Sequence, residues 1–117
     1  MALILSVSYD GHLLRTRELL LRAQGYDVVS ASGPEQALTQ CQSGTKFDLF
    51  ILGHSIPKAD KESFIVAFRA HCPAPIIALT RCGSEEPVEG ADFQIEPEPE
   101  KLVALVGKII SGNAASV

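Results

Sequence analysis

The chain has 117 residues, a formal net charge of −4, 46% hydrophobic residues and 21% charged residues. This length suits one domain with a modest core, and the composition is ordinary for a globular protein. The negative charge disfavours direct nucleic-acid binding, because little here would replace the counterions of a phosphate backbone. No apolar run is long enough to cross a membrane, and the first residues lack the pattern of a signal peptide. The three cysteines show no CxxC spacing, so we expect no disulfide framework and a cytoplasmic location.

Strand patterns and helix patterns alternate along the chain. Short apolar runs predict strands, and amphipathic segments with capping residues predict helices between them. The predicted elements are, in chain order, a strand over 2–7, a helix over 13–24, a strand over 26–31, a helix beginning near Pro34, a strand over 46–52, a helix beginning at Asp60 or Lys61 and stopped by Pro73, a strand over 75–80, a strand over 93–95 and a helix over 99–110. This alternation predicts an α/β fold with a parallel sheet between helices. Cys41 and Cys72 lie on apolar helix faces and are predicted to be core residues.

The third predicted strand is the central one, because its residues 49–52 are all apolar. It leads into Gly53 and then into a loop closed by Pro57. In an open parallel sheet, the residue just past the carboxyl end of such a strand lies in the ligand-binding crevice. A glycine at this position has no side chain, and this limits the chemistry that the crevice can support.

Several segments, taken together in their order and spacing, resemble the receiver domains of bacterial two-component response regulators. They are residues 4–7, 25–28, 35–38, 48–52 with Ile56 and Pro57, 75–80 and 90–92. The resemblance implies a flavodoxin-like, doubly wound sheet of five parallel strands in the order 2-1-3-4-5. We expect one receiver-like domain over 1–112 and a flexible tail over 113–117. Only residues 80–92 separate the last two strands, so the family's fourth helix is expected to be shortened or missing.

The resemblance also implies a phosphorylation pocket, and most of its residues are replaced in this chain. Receivers hold Mg²⁺ with an acidic pair after the first strand, carry a phosphoacceptor aspartate after the third, and place a lysine after the fifth. The aspartate is replaced by Gly53, which cannot act as a nucleophile, and the lysine by Glu96, which would repel a phosphoryl group. We therefore expect no catalytic residue, no metal and no cofactor. The degenerate pocket positions are Ser8, Tyr9, Asp10, Gly53, Thr80, Arg81 and Glu96.

Half of the 14 acidic residues fall between residues 85 and 100, with no Lys or Arg among them. They form a predicted acidic patch that consists of Glu85, Glu86, Glu89, Asp92, Glu96, Glu98 and Glu100. One interpretation is a solvated loop and helix start, in which carboxylates complement the helix dipole. The other is a surface that steers a basic partner.

Histidines and hydroxyl groups near the predicted crevice allow two further hypotheses. His54, His12 and Asp10 would together offer ligands to a transition metal, although histidines on separate loops are usually incidental. The hydroxyl groups near the crevice are possible acceptors of phosphate from a kinase, and they belong to Ser8, Ser55 and Thr80.

Arg81 and Cys82 allow a third hypothesis. Arg81 would bind a small anion in the space left by Gly53, or would pair with Glu96 or Asp10 as a structural substitute. Cys82 follows on the same loop and would be a redox-sensing thiol if its pKa were lowered, although a free loop cysteine is more often inert.

The favoured interpretation is a degenerate receiver that is not an enzyme and acts in bacterial signalling by binding another signalling protein. Two alternatives stay open. The chain would still respond to phosphate if Asp10 replaced the missing nucleophile, or it would sense small anions or oxidants through Arg81 and Cys82. The oligomeric state is open, because the surface through which receivers commonly dimerise is truncated.

Overall fold

The computed structural model describes residues 2–80 and 88–115 of the chain, with side chains described as far as Ser111. The described elements are β1 (Leu3–Ser8), α1 (Gly11–Ala23), β2 (Asp27–Ser32), α2 (Pro34–Gln42), β3 (Leu49–Leu52), α3 (Lys58–His71), β4 (Ile76–Leu79), β5 (Phe93–Ile95) and α4 (Pro99–Ala115). None of the described helices is both long enough and apolar enough to span a bilayer.

The five strands form one sheet in the order β2-β1-β3-β4-β5, and every neighbouring pair is parallel. The predicted fold class and strand order are confirmed. Because all strands run the same way, the carboxyl ends of β1, β3 and β4 lie along one edge of the sheet. This edge is the crevice of the fold, and the residues that end or follow these strands are Ser8, Gly53 and Thr80.

Helices cover both faces of the sheet, which explains why all four residues of β3 are buried. On one face, α2 and α3 pack against a cluster that includes Phe50 and Phe68, whose rings stack with their centroids 4.5 Å apart. On the other face, α1 and α4 bury Leu21 and Val106 against Ile51. Cys41 and Cys72 are buried in the first cluster, as predicted.

Three helices differ from their predicted bounds. Helix α1 spans Gly11–Ala23 rather than 13–24, because Asp10 is its N-cap. Helix α3 begins at Lys58 rather than at Asp60 or Lys61, because Pro57 has the extended backbone of an N-cap, with φ −59° and ψ 150°. Helix α4 continues to Ala115, past the predicted end at residue 110. Between β4 and β5, the described residues 80 and 88–92 contain no helix, and the remainder of this connection, residues 81–87, lies outside the described residues.

Candidate functional site

The crevice at the carboxyl edge of the sheet contains three of the predicted pocket positions. Ser8 is the last residue of β1, Gly53 follows β3 and Thr80 follows β4, and all three are buried. The parallel register of β1 with β3 and of β3 with β4 places these residues at the same edge.

Gly53 lies against the end of β1. Its N–H donates to the carbonyl oxygen of Val7 at 2.8 Å. A Cβ atom at this position would lie 3.1 Å from that oxygen and 3.3 Å from both Cβ and Oγ of Ser8. The backbone of Gly53 is not in the left-handed region, so it is close packing against β1 that favours glycine here. A larger side chain would require β1 or Ser8 to shift.

Neutral hydrogen bonds occupy the end of β1, where receivers carry their acidic pair. The hydroxyl groups of Ser8 and Ser55 lie 2.9 Å apart. Ser55 Oγ also accepts from the N–H of Tyr9 at 3.1 Å, and Ser8 Oγ accepts from the N–H of Asp10 at 3.1 Å. The two serines therefore tie the loop after β3 to the loop after β1 without any charged group.

The Asp10 carboxylate serves helix α1. Its Oδ1 accepts from the N–H of His12 at 2.9 Å and from the N–H of Leu13 at 3.3 Å, which makes Asp10 the N-cap. Within residues 2–80 and 88–115, no group of three or more His, Cys, Asp or Glu side chains is arranged to hold a metal ion. The residues present do not fit the Mg²⁺ site of a receiver, because the one carboxylate of this loop is engaged with backbone amides.

Tyr9 is tied to helix α3. Its hydroxyl donates to Oδ2 of Asp60 at 2.8 Å, and its ring meets the ring of Phe64 edge-on, with centroids 6.4 Å apart. Burial, together with the hydrogen bond to Asp60 and its negative charge, raises the pKa of Tyr9 to about 12. Tyr9 therefore stays neutral in the physiological range and acts as a donor.

Lys61 is the principal feature that the sequence prediction missed. It was predicted as a helix start, but its side chain is fully buried. Its Nζ donates to the carbonyl oxygen of Leu79, the last residue of β4, at 2.8 Å. A buried ammonium group persists only with partners that offset its desolvation. The helical spacing did carry a signal, since Lys61 shares one face of α3 with Phe64 and Phe68.

Thr80 and Glu96 are engaged with other groups at this edge. The N–H of Thr80 donates to the carbonyl oxygen of Ile95 at 2.9 Å, and its hydroxyl accepts from Nε2 of Gln94 at 3.4 Å. Glu96 forms an ion pair of 3.2 Å with Lys101. This pair raises the pKa of Lys101. The predicted contact of Arg81 with Glu96 or Asp10 lies outside the described residues.

Cations from α3 and α4 lie beside the predicted acidic patch. Asp92 pairs with Arg69 at 2.7 Å, and its Oδ2 also accepts from the N–H of Ile76 at 2.8 Å. Glu98 lies 3.5 Å from Lys101. Glu89 and Glu100 are exposed, whereas Glu85 and Glu86, like Cys82, lie outside the described residues. Part of the charge of the patch is thus offset by ion pairs that the sequence spacing did not indicate.

No protein-family model matches the sequence, and no curated protein matches it. Among solved structures, response regulator TrrA from Thermotoga maritima, determined with Mg²⁺ and BeF, is 26% identical with a TM-score of 0.79 over 93% of this chain and 99% of that one. A second similar structure is the N-terminal domain of a response regulator/sensory box/GGDEF protein from Carboxydothermus hydrogenoformans. It is 20% identical, has a TM-score of 0.82, and the match covers 97% of this chain and 98% of that domain. A two-component response regulator from Clostridium difficile is 23% identical and has a TM-score of 0.82, and the match covers 95% of this chain and 97% of that one. The chain has the fold of the response regulator receiver domains.

Proposed function

We propose that this chain is a receiver-like signalling module whose output depends on binding another signalling protein and not on an aspartyl phosphate. The observation that carries the proposal is the crevice itself. Gly53 stands at the phosphoacceptor position, Ser8 and Tyr9 stand where receivers carry the acidic pair, and Lys61 Nζ donates to the carbonyl oxygen of Leu79 at the end of β4.

The nucleophile is the first missing part. Phosphoryl transfer to a receiver requires a carboxylate at the end of the third strand, and Gly53 has none. Asp10 was the alternative nucleophile. Its carboxylate oxygen accepts from the N–H groups of His12 and Leu13 and so caps helix α1. Phosphorylating Asp10 would therefore cost the helix its cap.

The cation site is the second missing part. Mg²⁺ needs several hard oxygen ligands, which the Ser8 and Ser55 hydroxyl groups do not replace. The Asp10 carboxylate, the one carboxylate of the loop after β1, is engaged as the N-cap of α1.

Interaction without phosphorylation is consistent with a crevice that is held by internal hydrogen bonds. Thr80 is bonded to Gln94 and to the backbone of β5, and Ser8 is bonded to Ser55. A basic partner is the kind that the exposed carboxylates of Glu89 and Glu100 would attract.

The experiment treats the protein with acetyl phosphate and Mg²⁺ and measures covalent phosphate by intact mass spectrometry, with the Thermotoga maritima regulator as the positive control. We expect no added phosphate on wild type or on Gly53→Asp, since the variant restores only one of the lost carboxylates. Phosphate on wild type would overturn the proposal. If Asp10→Asn then removed that phosphate, Asp10 would be the nucleophile.

Partner binding is tested by affinity capture from a lysate of the source organism, with and without acetyl phosphate. We expect the same captured protein in both conditions. Charge reversal at Glu89 and Glu100 should reduce the capture, whereas Asp27→Lys, an exposed position on β2, should not. A capture that requires acetyl phosphate would contradict the proposal.

A further inference from the structure

A second pocket lies on the face of the sheet that is covered by α1 and α4, away from the α3 side chain of Lys61. It has a volume of about 90 Å³ and opens between α1 and the segment that leads into α4. Apolar side chains form most of its wall: Leu13, Leu20, Leu79, Pro97 and Leu102. One cationic side chain, Arg17, also lines it.

Arg17 is an unusual residue to find in this position. Its side chain is only 7% exposed, and its Nη1 donates to Oγ of Ser6 at 3.4 Å. Within residues 2–80 and 88–115, this long contact is the single hydrogen bond of the guanidinium group, and no carboxylate lies within 4.0 Å of it. A guanidinium group has five N–H donors, so most of those of Arg17 have no acceptor among the described residues and are available to a ligand in the pocket. Burial lowers the pKa of Arg17 to about 10, which leaves it cationic at neutral pH.

An uncompensated buried cation is costly, and a residue such as methionine would fill the same place between Leu14 and Leu21 at no such cost. The planar guanidinium group is suited to bind a carboxylate through two parallel hydrogen bonds. An anion in the pocket would therefore offset the cost of burying Arg17 and would satisfy its remaining donors.

We propose that this pocket binds a small carboxylate with a short apolar chain, of the size of propionate, with its carboxylate on Arg17 and its chain against the leucine walls. A volume of about 90 Å³ suits a small ligand of this size. Glu98 also lines the pocket, and its carboxylate lies 3.5 Å from Lys101. A nearby carboxylate disfavours dianions such as phosphate. The proposal does not depend on whether the crevice is phosphorylated.

The test measures thermal unfolding of the full chain in sodium propionate, with sodium chloride and sodium phosphate at equal ionic strength as the other two arms. For wild type we expect a saturable rise in Tm of about 4 °C or more at ligand concentrations several times Kd. Arg17→Met should lose the rise, and Arg15→Met, an exposed arginine of the same helix, should keep it. An equal rise in Arg17→Met, or an equal effect of chloride, would overturn the proposal.

An amide NMR titration of wild type with propionate gives a second readout that does not require any variant to fold. We expect saturable shifts at Leu13, Leu20 and Leu102 and at the Nε–H of Arg17. Shifts that are absent, or that spread over exposed lysines without saturation, would also overturn it. A larger response to phosphate than to propionate would assign the pocket to a different anion and refute the carboxylate.

Discussion

Lys61 offers the sharpest test of the crevice, because its stem and its charge can be removed separately. Lys61→Met keeps most of the apolar stem and removes the ammonium group. Lys61→Ala removes both. The side chain is fully buried and its Nζ lies 2.8 Å from the carbonyl oxygen of Leu79, so both changes act in the interior of the protein.

The expected losses of unfolding free energy follow from these two facts. Removing one partner of a buried charged hydrogen bond leaves the Leu79 carbonyl without that donor, and we expect Lys61→Met to lose about 1–3 kcal/mol. Lys61→Ala removes three further heavy atoms of buried stem, at about 0.8 kcal/mol each plus a cavity term, for an additional loss of about 2–3 kcal/mol. The difference in unfolding free energy between the two variants measures the contribution of the buried apolar stem, because neither variant carries the ammonium group.

The assay is urea unfolding with linear extrapolation, in which an unchanged slope shows that the variants unfold from the same compact state. Lys108→Ala, an exposed lysine in the interior of α4, is the matched control and should change stability by less than about 0.5 kcal/mol. If Lys61→Ala and Lys61→Met both stayed within that margin, the lysine would not be a buried part of the crevice. The contact of Lys61 Nζ with the Leu79 carbonyl oxygen would then contribute nothing measurable to the fold.

One hydrogen bond beside the crevice and one at the opposite edge of the sheet give further predictions. The pKa of Tyr9 is raised to about 12, so its neutral form stabilises the fold fully below pH 10, and this contribution is lost as the pH rises from 10 through 12. Near-ultraviolet absorbance titration should show a late-titrating tyrosine whose pKa falls in Asp60→Asn. Asp92→Ala removes an acceptor that binds both Arg69 Nη2 and the N–H of Ile76, and urea unfolding should show a loss of about 1–2 kcal/mol.

Each of these predictions has a control residue of the same type in the chain. Tyr26→Phe should leave the late-titrating component of absorbance in place, which assigns it to Tyr9. Asp27→Ala removes an exposed carboxylate from β2 and should be nearly neutral in urea unfolding. A late-titrating tyrosine that persisted in Tyr9→Phe would refute the assignment. An Asp92→Ala variant as stable as Asp27→Ala would refute the structural role of Asp92.

The alternation of strands and helices was predictable because each layer of the fold left a local signal, whereas the strand order was implied by the resemblance to receiver domains. β3 is apolar on both faces, which is typical of a strand buried between two helical layers. Gly25 ends α1 with φ 93°, and Pro34 starts α2 after Gly33 with φ 113°, so the connections are marked by residues that suit these conformations. These signals depend on neighbours in the sequence and need no knowledge of the packing.

The burial of Arg17 and Lys61 was not predicted, although each shares a helix face with apolar residues. Arg17 lies on the same face of α1 as Leu14 and Leu21, three residues after one and four before the other. Lys61 shares the buried face of α3 in the same way. Charged residues are almost never fully buried without partners, so a sequence pattern assigns them to the surface by default. Their partners belong to β1 and β4, and no local pattern places those strands beside the helices.

The sequence also did not predict which groups the individual carboxylates contact. Asp10 was expected near the crevice. Its carboxylate instead accepts from the first N–H groups of α1, and this contact depends on the exact path of the loop after β1. Glu96 was expected to face the lost phosphoryl site or Arg81. Its described ion pair is with Lys101, one turn into α4, because the helix start brings this lysine within 3.2 Å.

The positions of the charged groups in this fold favour a small anion, whereas those of a receiver favour a divalent cation. In a receiver, carboxylates gather at the carboxyl edge of the sheet and attract a divalent cation. Here Gly53 follows β3, the Asp10 carboxylate caps α1, and the buried guanidinium group of Arg17 lines a separate pocket beside α1. The described residues therefore offer a donor to a small anion and no set of carboxylate ligands to a divalent cation. Titration with Mg²⁺ and titration with a carboxylate should give opposite results, with a response only to the carboxylate. A response to Mg²⁺ alone would contradict both expectations.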